Sequence, residues 1–375
     1  MLRDLLLWVG LPVLAAAILA AAAMAMRRST TVRVDLELSR LGLVVGGDSS
    51  NVLLLERTPV TALGIHALRD ARLEGGRLQH LAADAKDCPT PGAKPGDEGL
   101  VEPLELVAGD ASSSALIVET AKGALPATLD AVYVQPGAHV EVGISPRKRT
   151  GEYGEKPDRA AASSIRFSLA DPGSRVIVYA PGLVSVDAHA MRIQDAAALG
   201  PQQFATLSLC AQAAPLTIEA HAGAQALHLH LTAAAGDVGA LIPQGVPVAA
   251  LDFTRQGEGG QRMSTVVGEG KIAYPNDPAR EAIAIEAGDY VHIGGWTSFY
   301  IDRLDWLTQR QVLRLQAHGQ VDELRVRGKG ATRDLRLTWF DSLQGFPRLL
   351  AWLAFVGMVG RNAFAVWKKW KEIEE

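Results

Sequence analysis

Three groups of residues in this chain have the types and spacing that chemistry uses. The first is Ser49, in Gly47-Asp48-Ser49 after the apolar run Leu41–Val45, with Asp289 and His292 three apart late in the chain. A serine hydroxyl becomes a nucleophile when a histidine takes its proton and a carboxylate orients that histidine. In those roles Ser49 would attack, His292 would be the base and Asp289 its orienting partner. The second group is His228 and His230, two apart within Ala226–Thr232. On a strand that spacing puts both rings on one face, as two metal ligands require, and His189 and His221 upstream could join them from adjacent strands. The competing and preferred reading is a polar stripe, with the leucines of His-Leu-His-Leu facing the core. No HExxH or Cys/His set accompanies the pair. The third group is Trp296, Phe299 and Tyr300, the densest aromatic stretch, beside Gly294-Gly295. It is a candidate surface for a ligand or partner, and competes with a reading as a corner of the core.

The first group resembles the GDSL-type (SGNH) esterases, in which a serine after a first strand works with a C-terminal aspartate and histidine spaced by three. The resemblance covers two short fragments and implies a doubly wound α/β fold with ester hydrolysis at Ser49. The family's oxyanion glycine and asparagine blocks have no counterpart: Asn276 sits in a Tyr-Pro-Asn-Asp-Pro turn instead. Asp289 and His292 open a strand pattern, where three-residue spacing sets side chains on opposite faces. The preferred reading is therefore not an enzyme. No cofactor is expected either. Gly257-Glu258-Gly259-Gly260 and Gly268-Glu269-Gly270-Lys271 lack phosphate-loop spacing and a following helix, and read as hairpin turns. Asp302-Arg303-Leu304-Asp305 reads as a surface ion pair.

The elements that must position these residues are strands. Val32, Val34, Leu36 and Leu38 alternate with Arg33, Asp35 and Glu37, the period-2 pattern of a half-wet strand. Similar runs recur to Asp334–Thr338, separated by Gly, Pro, Asp and Asn turns. The expected class is mostly β, as antiparallel sandwich-like or barrel-like domains, with many meander hairpins. Strict sequence repetition is not visible, which leaves a solenoid as the minor option. Short helices are expected only over Ala62–Leu73 and Arg77–Ala85. The domain scheme is an anchor over 1–28, a β-rich lobe over 29–144, an exposed linker or hairpin tip over 145–160, a second β-rich lobe over 161–341 and a membrane-associated helix over 342–375.

The anchor is the uncharged stretch Leu5–Met26, which includes Trp8 and is followed by Arg27 and Arg28. At about 20 residues, such a stretch matches a bilayer core. A cleavable signal ending at Ala23-Met24-Ala25 competes with it. Arginine counts around the span place the body in the cytoplasm by the positive-inside rule. The C-terminal stretch complicates that vote. Leu349–Gly360 contains Trp352, Gly357 and Gly360, is apolar all round, and falls short of the ~20 residues needed to span. Arg361 follows, and then Phe364, Trp367, Lys368, Lys369 and Trp370 give the Trp-plus-Lys composition of a membrane interface. Read as lying on the surface, this segment leaves the orientation unchanged. Read as a span over Phe346–Trp367, it puts the lysines in the cytoplasm and the body outside; a core helix packed on the β body is the third reading.

The net charge of −4 argues against a nucleic-acid footprint. The two cysteines, Cys88 and Cys210, read preferentially as unpaired buried thiols, with a lone disulfide as the alternative. Together these features predict a membrane-anchored binding or assembly protein of the inner or plasma membrane. Its partners would be the lipid bilayer and either further copies of itself or another protein, with Arg361 and the Gly357/Gly360 face at a helix interface. An envelope scaffold with an exported β body is the alternative, and a membrane-tethered serine hydrolase the third reading.

Overall fold

The computed structural model describes residues 29–48, 51–80, 103–121, 124–144, 163–171, 173–194, 206–211, 215–223, 226–233, 239–242, 245–257, 259–277, 280–328 and 332–337, with Arg361, Ala365 and Lys368. Nearly everything described is strand. The chain begins with β1 (Thr30–Leu38), β2 (Arg40–Val45), β3 (Val52–Val60), β4 (Ala62–His66), β5 (Leu68–Glu74) and β6 (Leu78–His80). It continues with β7 (Leu104–Ala108), β8 (Ala115–Thr120), β9 (Ala127–Val134), β10 (His139–Ile144), β11 (Ser163–Ala170) and β12 (Arg175–Ala180). Next come β13 (Val184–His189), β14 (Met191–Ile193), β15 (Thr206–Ala211), β16 (Leu216–Ala222), β17 (Leu227–Ala233), β18 (Gly239–Ile242) and β19 (Val246–Asp252). The last are β20 (Thr254–Gln256), β21 (Arg262–Ser264), β22 (Gly270–Ala273), β23 (Ile283–Ile285), β24 (Tyr290–Leu307), β25 (Val312–Arg327) and β26 (Thr332–Asp334). The described ladders are antiparallel throughout, so the mostly-β, antiparallel class expected from the residue pattern is what the chain adopts.

Two sheets share one order. In the first, neighbours run β2-β10-β11-β17-β4-β8-β13-β15-β6. In the second they run β3-β9-β12-β16-β5-β7-β14. Matching the two strand by strand pairs β2 with β3, β10 with β9, β11 with β12, β17 with β16, β4 with β5, β8 with β7 and β13 with β14. Each pair is consecutive in sequence, so each is a rung with one strand in each sheet. Apolar side chains of both sheets fill the space between: Leu63, Ile65, Phe167, Leu229 and Val186 from the first, and Leu73, Val132, Val178 and Ile218 from the second, are all fully buried. Alternation does this work, since every second residue of a strand faces the partner sheet.

The rungs are held in register at their corners. Gly137 N donates to Val45 O (2.8 Å), Ala222 N to Ser174 O (3.0 Å), Gly223 N to Ala67 O (3.1 Å) and Ala67 N to Ser114 O (3.0 Å). Between the second and third corners the link is a side chain. Asp171, only 6 % exposed, accepts from Gln135 N (2.7 Å), Gly173 N (2.9 Å) and the Ser174 hydroxyl (3.4 Å). Gly223 is required at its corner, because a Cβ there would stand 2.7 Å from the Ala111 Cβ.

Two of the corners are single residues. Ala67 joins β4 to β5 with φ 62°, and Ala190 joins β13 to β14 with φ 52°. The flanking sequences are His66-Ala67-Leu68-Arg69 and His189-Ala190-Met191-Arg192, a short repeat not evident from composition alone. Both units flank the same rung: His66 and His189 each pair with Ala115 of β8, and β5 and β14 each pair with β7. The left-handed corner at Ala67 also corrects the helix expected over Ala62–Leu73. The segment is instead two strands whose burial alternates on either side of the break. Within Arg77–Ala85, the described part holds the strand β6, not a helix.

The meander expectation fails inside the sandwich, where β10–β11 is the one ladder between consecutive strands among those described. Segments 29–144 and 161–341 supply alternating neighbours in the same sheets, so the ladders do not divide there. Residues 145–160 lie outside the described residues. The remaining strands form a second body that continues the first sheet, in the order β23-β22-β1-β25-β24-β19-β2. Its spine is the long hairpin β24–β25. β19 bridges the bodies, pairing with β24 through Val246–Pro247 and with β2 through Val248–Asp252.

On β25 the two ends of the described body meet. Thr30 lies opposite Val321 and Asp334 opposite Arg325, on the same side of that strand. Leu337 N donates to the Thr30 hydroxyl (3.0 Å), and the Tyr274 hydroxyl donates to Leu335 O (2.6 Å). Gln320 reaches the Ser29 hydroxyl (2.9 Å), and Asn276 reaches that of Thr31 (3.1 Å).

Asp171 gives the fold a direct test. Asp171→Ala leaves the part-buried N–H groups of Gln135 and Gly173 without this acceptor and should lower unfolding free energy by about 1 kcal/mol, read from urea denaturation. Asp171→Asn keeps one acceptor oxygen and should cost less.

Candidate functional site

The outer face of the first sheet carries a cluster of basic side chains. Across β11, β17, β4, β8 and β13 one row reads Ser168, His228, His66, Ala115, His189. The next reads Arg166, His230, Gly64, Ile117, Asp187. The leucines between the histidines, Leu227, Leu229 and Leu231, point into the sandwich and are fully buried. So the His-Leu-His-Leu alternation is a core face and an outer face, and the outer face is not simply wet. His66, Arg166, His228, Leu229 and His230 line a pocket of about 240 Å3.

Gly64 makes the room. A Cβ at that position would lie 3.0 Å from the His66 Nε2 and 3.7 Å from the His230 Cβ. The His66 ring therefore folds over a bare stretch of backbone toward His230. The His230 Nε2 is buried and has no hydrogen-bond partner among the described residues. Burial pushes the His66 pKa below 6.5, and the charges of His230, His228, Arg166 and His189 push it the same way. His230 is lowered by burial first and by Arg166 second. These imidazoles are thus held neutral next to a permanent guanidinium charge. Among the described residues no set of three His, Cys, Asp or Glu is arranged to hold a metal ion.

His221, offered by the sequence as a further ligand, is elsewhere. It lies on β16 in the other sheet, bonded to Asp70 (2.6 Å) and near Glu219 (3.3 Å). His189 shares the histidine row but stands across β8 from His66. No local spacing singles out His66, Arg166 or Gly64. His66 sat in a segment expected to be helical, and Arg166 is one basic residue on one strand. The available signal was the repeated His-Ala-Leu/Met-Arg, which places His66 and His189 at equivalent corners.

Ser49 lies outside the described residues. Asp289 and His292 are committed to other partners. Asp289 accepts from Glu286 N (2.9 Å) in a turn, while His292 approaches Glu323 on β25 (3.3 Å). The aromatic group separates as well. Phe299 is core, stacked on a half-buried Trp296 with ring centroids 5.1 Å apart. Tyr300 is at the surface and stacks on His318 (5.8 Å), whose Nδ1 lies 2.7 Å from Asp302. The corner reading therefore accounts for Trp296 and Phe299, and Tyr300 alone is an exposed contact.

Cys210 is disulfide-bonded, which corrects the expectation of unpaired thiols. Cys88 is the other cysteine of the chain and lies outside the described residues. Of the membrane candidates, Trp8, Arg27, Arg28, Trp352, Gly357, Gly360, Trp367, Lys369 and Trp370 also lie outside them. Arg361 and Lys368 are helical and exposed. Among the described residues no helix is long and apolar enough to cross a membrane.

The neutral imidazoles set a pH dependence. Their folded pKa values lie below 6.5, so the unfolded chain binds more protons just under that pH. The stability they contribute is complete above 6.5 and falls as pH drops through the window beneath it. His66→Gln and His230→Gln should each flatten that acid-side loss in thermal melts. Arg166→Gln removes a repelling charge and should raise the His230 titration midpoint, followed by its imidazole carbon-bound proton resonances. With the geometry in hand, similarity adds no assignment: the chain matches no known protein-family model, no curated protein and no solved structure.

Proposed function

We propose that this chain is a membrane-anchored, β-rich binding and assembly protein, with its β body held against the bilayer by apolar segments on both sides. The meeting of Ser29–Thr31 with Leu335–Leu337 carries this reading. Leu5–Met26 lies just before that junction and Leu349–Gly360 just after it. Two apolar segments leaving one point can enter one membrane together, and the body hangs from a single fixed attachment. Alanine-rich and Gly357/Gly360 surfaces suit close helix packing, which supports assembly with further copies or a partner. Arg361 would line that helix interface, because a lone charge facing lipid is costly.

The disulfide at Cys210 supports an orientation opposite to the one suggested by arginine counts. Structural disulfides persist in oxidising compartments and are rare in the cytosol. We therefore place the body on the outer side of the membrane, the envelope-scaffold form of the reading. Phe346–Trp367 then spans, and Lys368, Lys369 and Lys371 end in the cytoplasm, as the positive-inside rule prefers.

Two measurements test this. Deleting 1–28 or 338–375 alone should leave the protein in the membrane fraction, and deleting both should release a folded body. A doubly deleted protein that stays with membranes would refute the anchoring. For orientation, Leu125 is 65 % exposed and suits a labelling site. Leu125→Cys should react with a membrane-impermeant maleimide in unlysed cells stripped of any outer layer. Reaction only after lysis would place the body in the cytoplasm.

A further inference from the structure

We propose that the histidine–arginine pocket on the first sheet is a binding site for a phosphoryl group, strengthened by acid. The pocket gathers one permanent cation, Arg166, and three groups that become cations on protonation, His66, His228 and His230, around about 240 Å3. Arg166 makes no ion pair among the described residues. The buried His230 Nε2 has no partner there either, and an oxyanion would supply one. A cation is the wrong occupant. Arg166 repels it, and the described residues hold no three-ligand set.

A dianionic oxyanion fits the charge. Guanidinium and imidazolium N–H groups donate charge-assisted bonds to phosphoryl oxygens. Binding would reverse the balance that keeps His66 and His230 neutral: the ligand's charge favours their protonated forms and draws in protons. Acid should therefore tighten binding of an anion whose charge stays at two, the direction required by proton uptake at the imidazoles.

The surroundings neither neutralise nor block the site. On β10, Glu141 shares this face and is ion-paired with Arg40. On β11, Ser164 and Ser168 flank Arg166. Thr232 continues the row on β17, and Ala62 and Gly64 continue it on β4. Glu119 on β8 lies beyond Ile117, away from His66. On β13, Asp187 and His189 stand two strands from β4.

The test is an NMR titration of the full chain in detergent, reading the histidine imidazole resonances. Inorganic phosphate should shift His66, His228 and His230. Sulfate, which stays a dianion across the range, is the pH probe: its affinity should rise about tenfold between about pH 8 and about pH 5.5, as uptake of one proton by the site requires, whereas phosphate takes up a proton of its own in this window and should show a smaller rise. Arg166→Gln, a surface change that leaves the fold intact, should abolish the effect, and Gly64→Ala should weaken it by crowding His66. A parallel arm uses vesicles containing phosphatidic acid. Shifts with phosphate alone identify a soluble phosphorylated ligand, and shifts with vesicles alone identify a lipid headgroup; both support the site. No shift from either probe, or shifts that persist in Arg166→Gln, would overturn it. So would zinc binding that Arg166→Gln strengthens. The outcome is independent of membrane anchoring.

Discussion

The structure rests on one geometric constraint: a strand that ends in a tight corner must continue in the opposite sheet. A residue such as Ala67 or Ala190, alone between two strands, can redirect the backbone across the sandwich. It cannot fold the chain back into the neighbouring position of the same sheet, which takes at least a two-residue turn. In those two rungs the chain therefore passes from one sheet to the other, and the longer corners of the remaining rungs make the same crossing. The neighbours of each rung must come from other parts of the sequence, and the corner hydrogen bonds align the stack. Hydrophobic burial drives the collapse, but it does not choose the order of rungs. That order is written where corners meet, at Val45, Gln135, Asp171, Ala222, Ala67 and Ser114.

The pocket is a product of the same constraint. Arg166, His228 and His66 come from three rungs far apart in sequence and become neighbours because their rungs stack. A meander would have put sequential strands side by side and separated them. The outward direction of the histidines follows from the leucines between them, whose burial fixes the face. Gly64 then decides whether the face is a closed polar surface or a cavity.

Much of this was legible in the residues. The alternation in β1 gave the strand and its wet face directly, because one buried face imposes period 2. The histidines of β17 were read correctly as opposite to the leucines. Three things were not legible. The corner at Ala67 disguised two strands as a helix, since nothing about an alanine announces a left-handed φ. The interleaved order could not be inferred, since corners and hairpin turns use similar residues. And Arg166 with His66 had no local spacing to betray them: their proximity exists only after pairing. The serine, aspartate and histidine spaced for nucleophilic chemistry show the converse, because two of the three have other partners once the strands are in place.

The pairing of β1 with β25 has a consequence for how the molecule is made. Thr30–Leu38 finds its place against Leu313–Val321, so the earliest of the described strands waits for one of the latest. High contact order of this kind slows folding and prolongs exposure of unpaired strand edges. A chain delivered vectorially cannot seal its second body until residue 321 has emerged. During that interval β1 can form a ladder only along Arg33–Asp35, with Lys271–Ala273 of β22, and its other edge stays open.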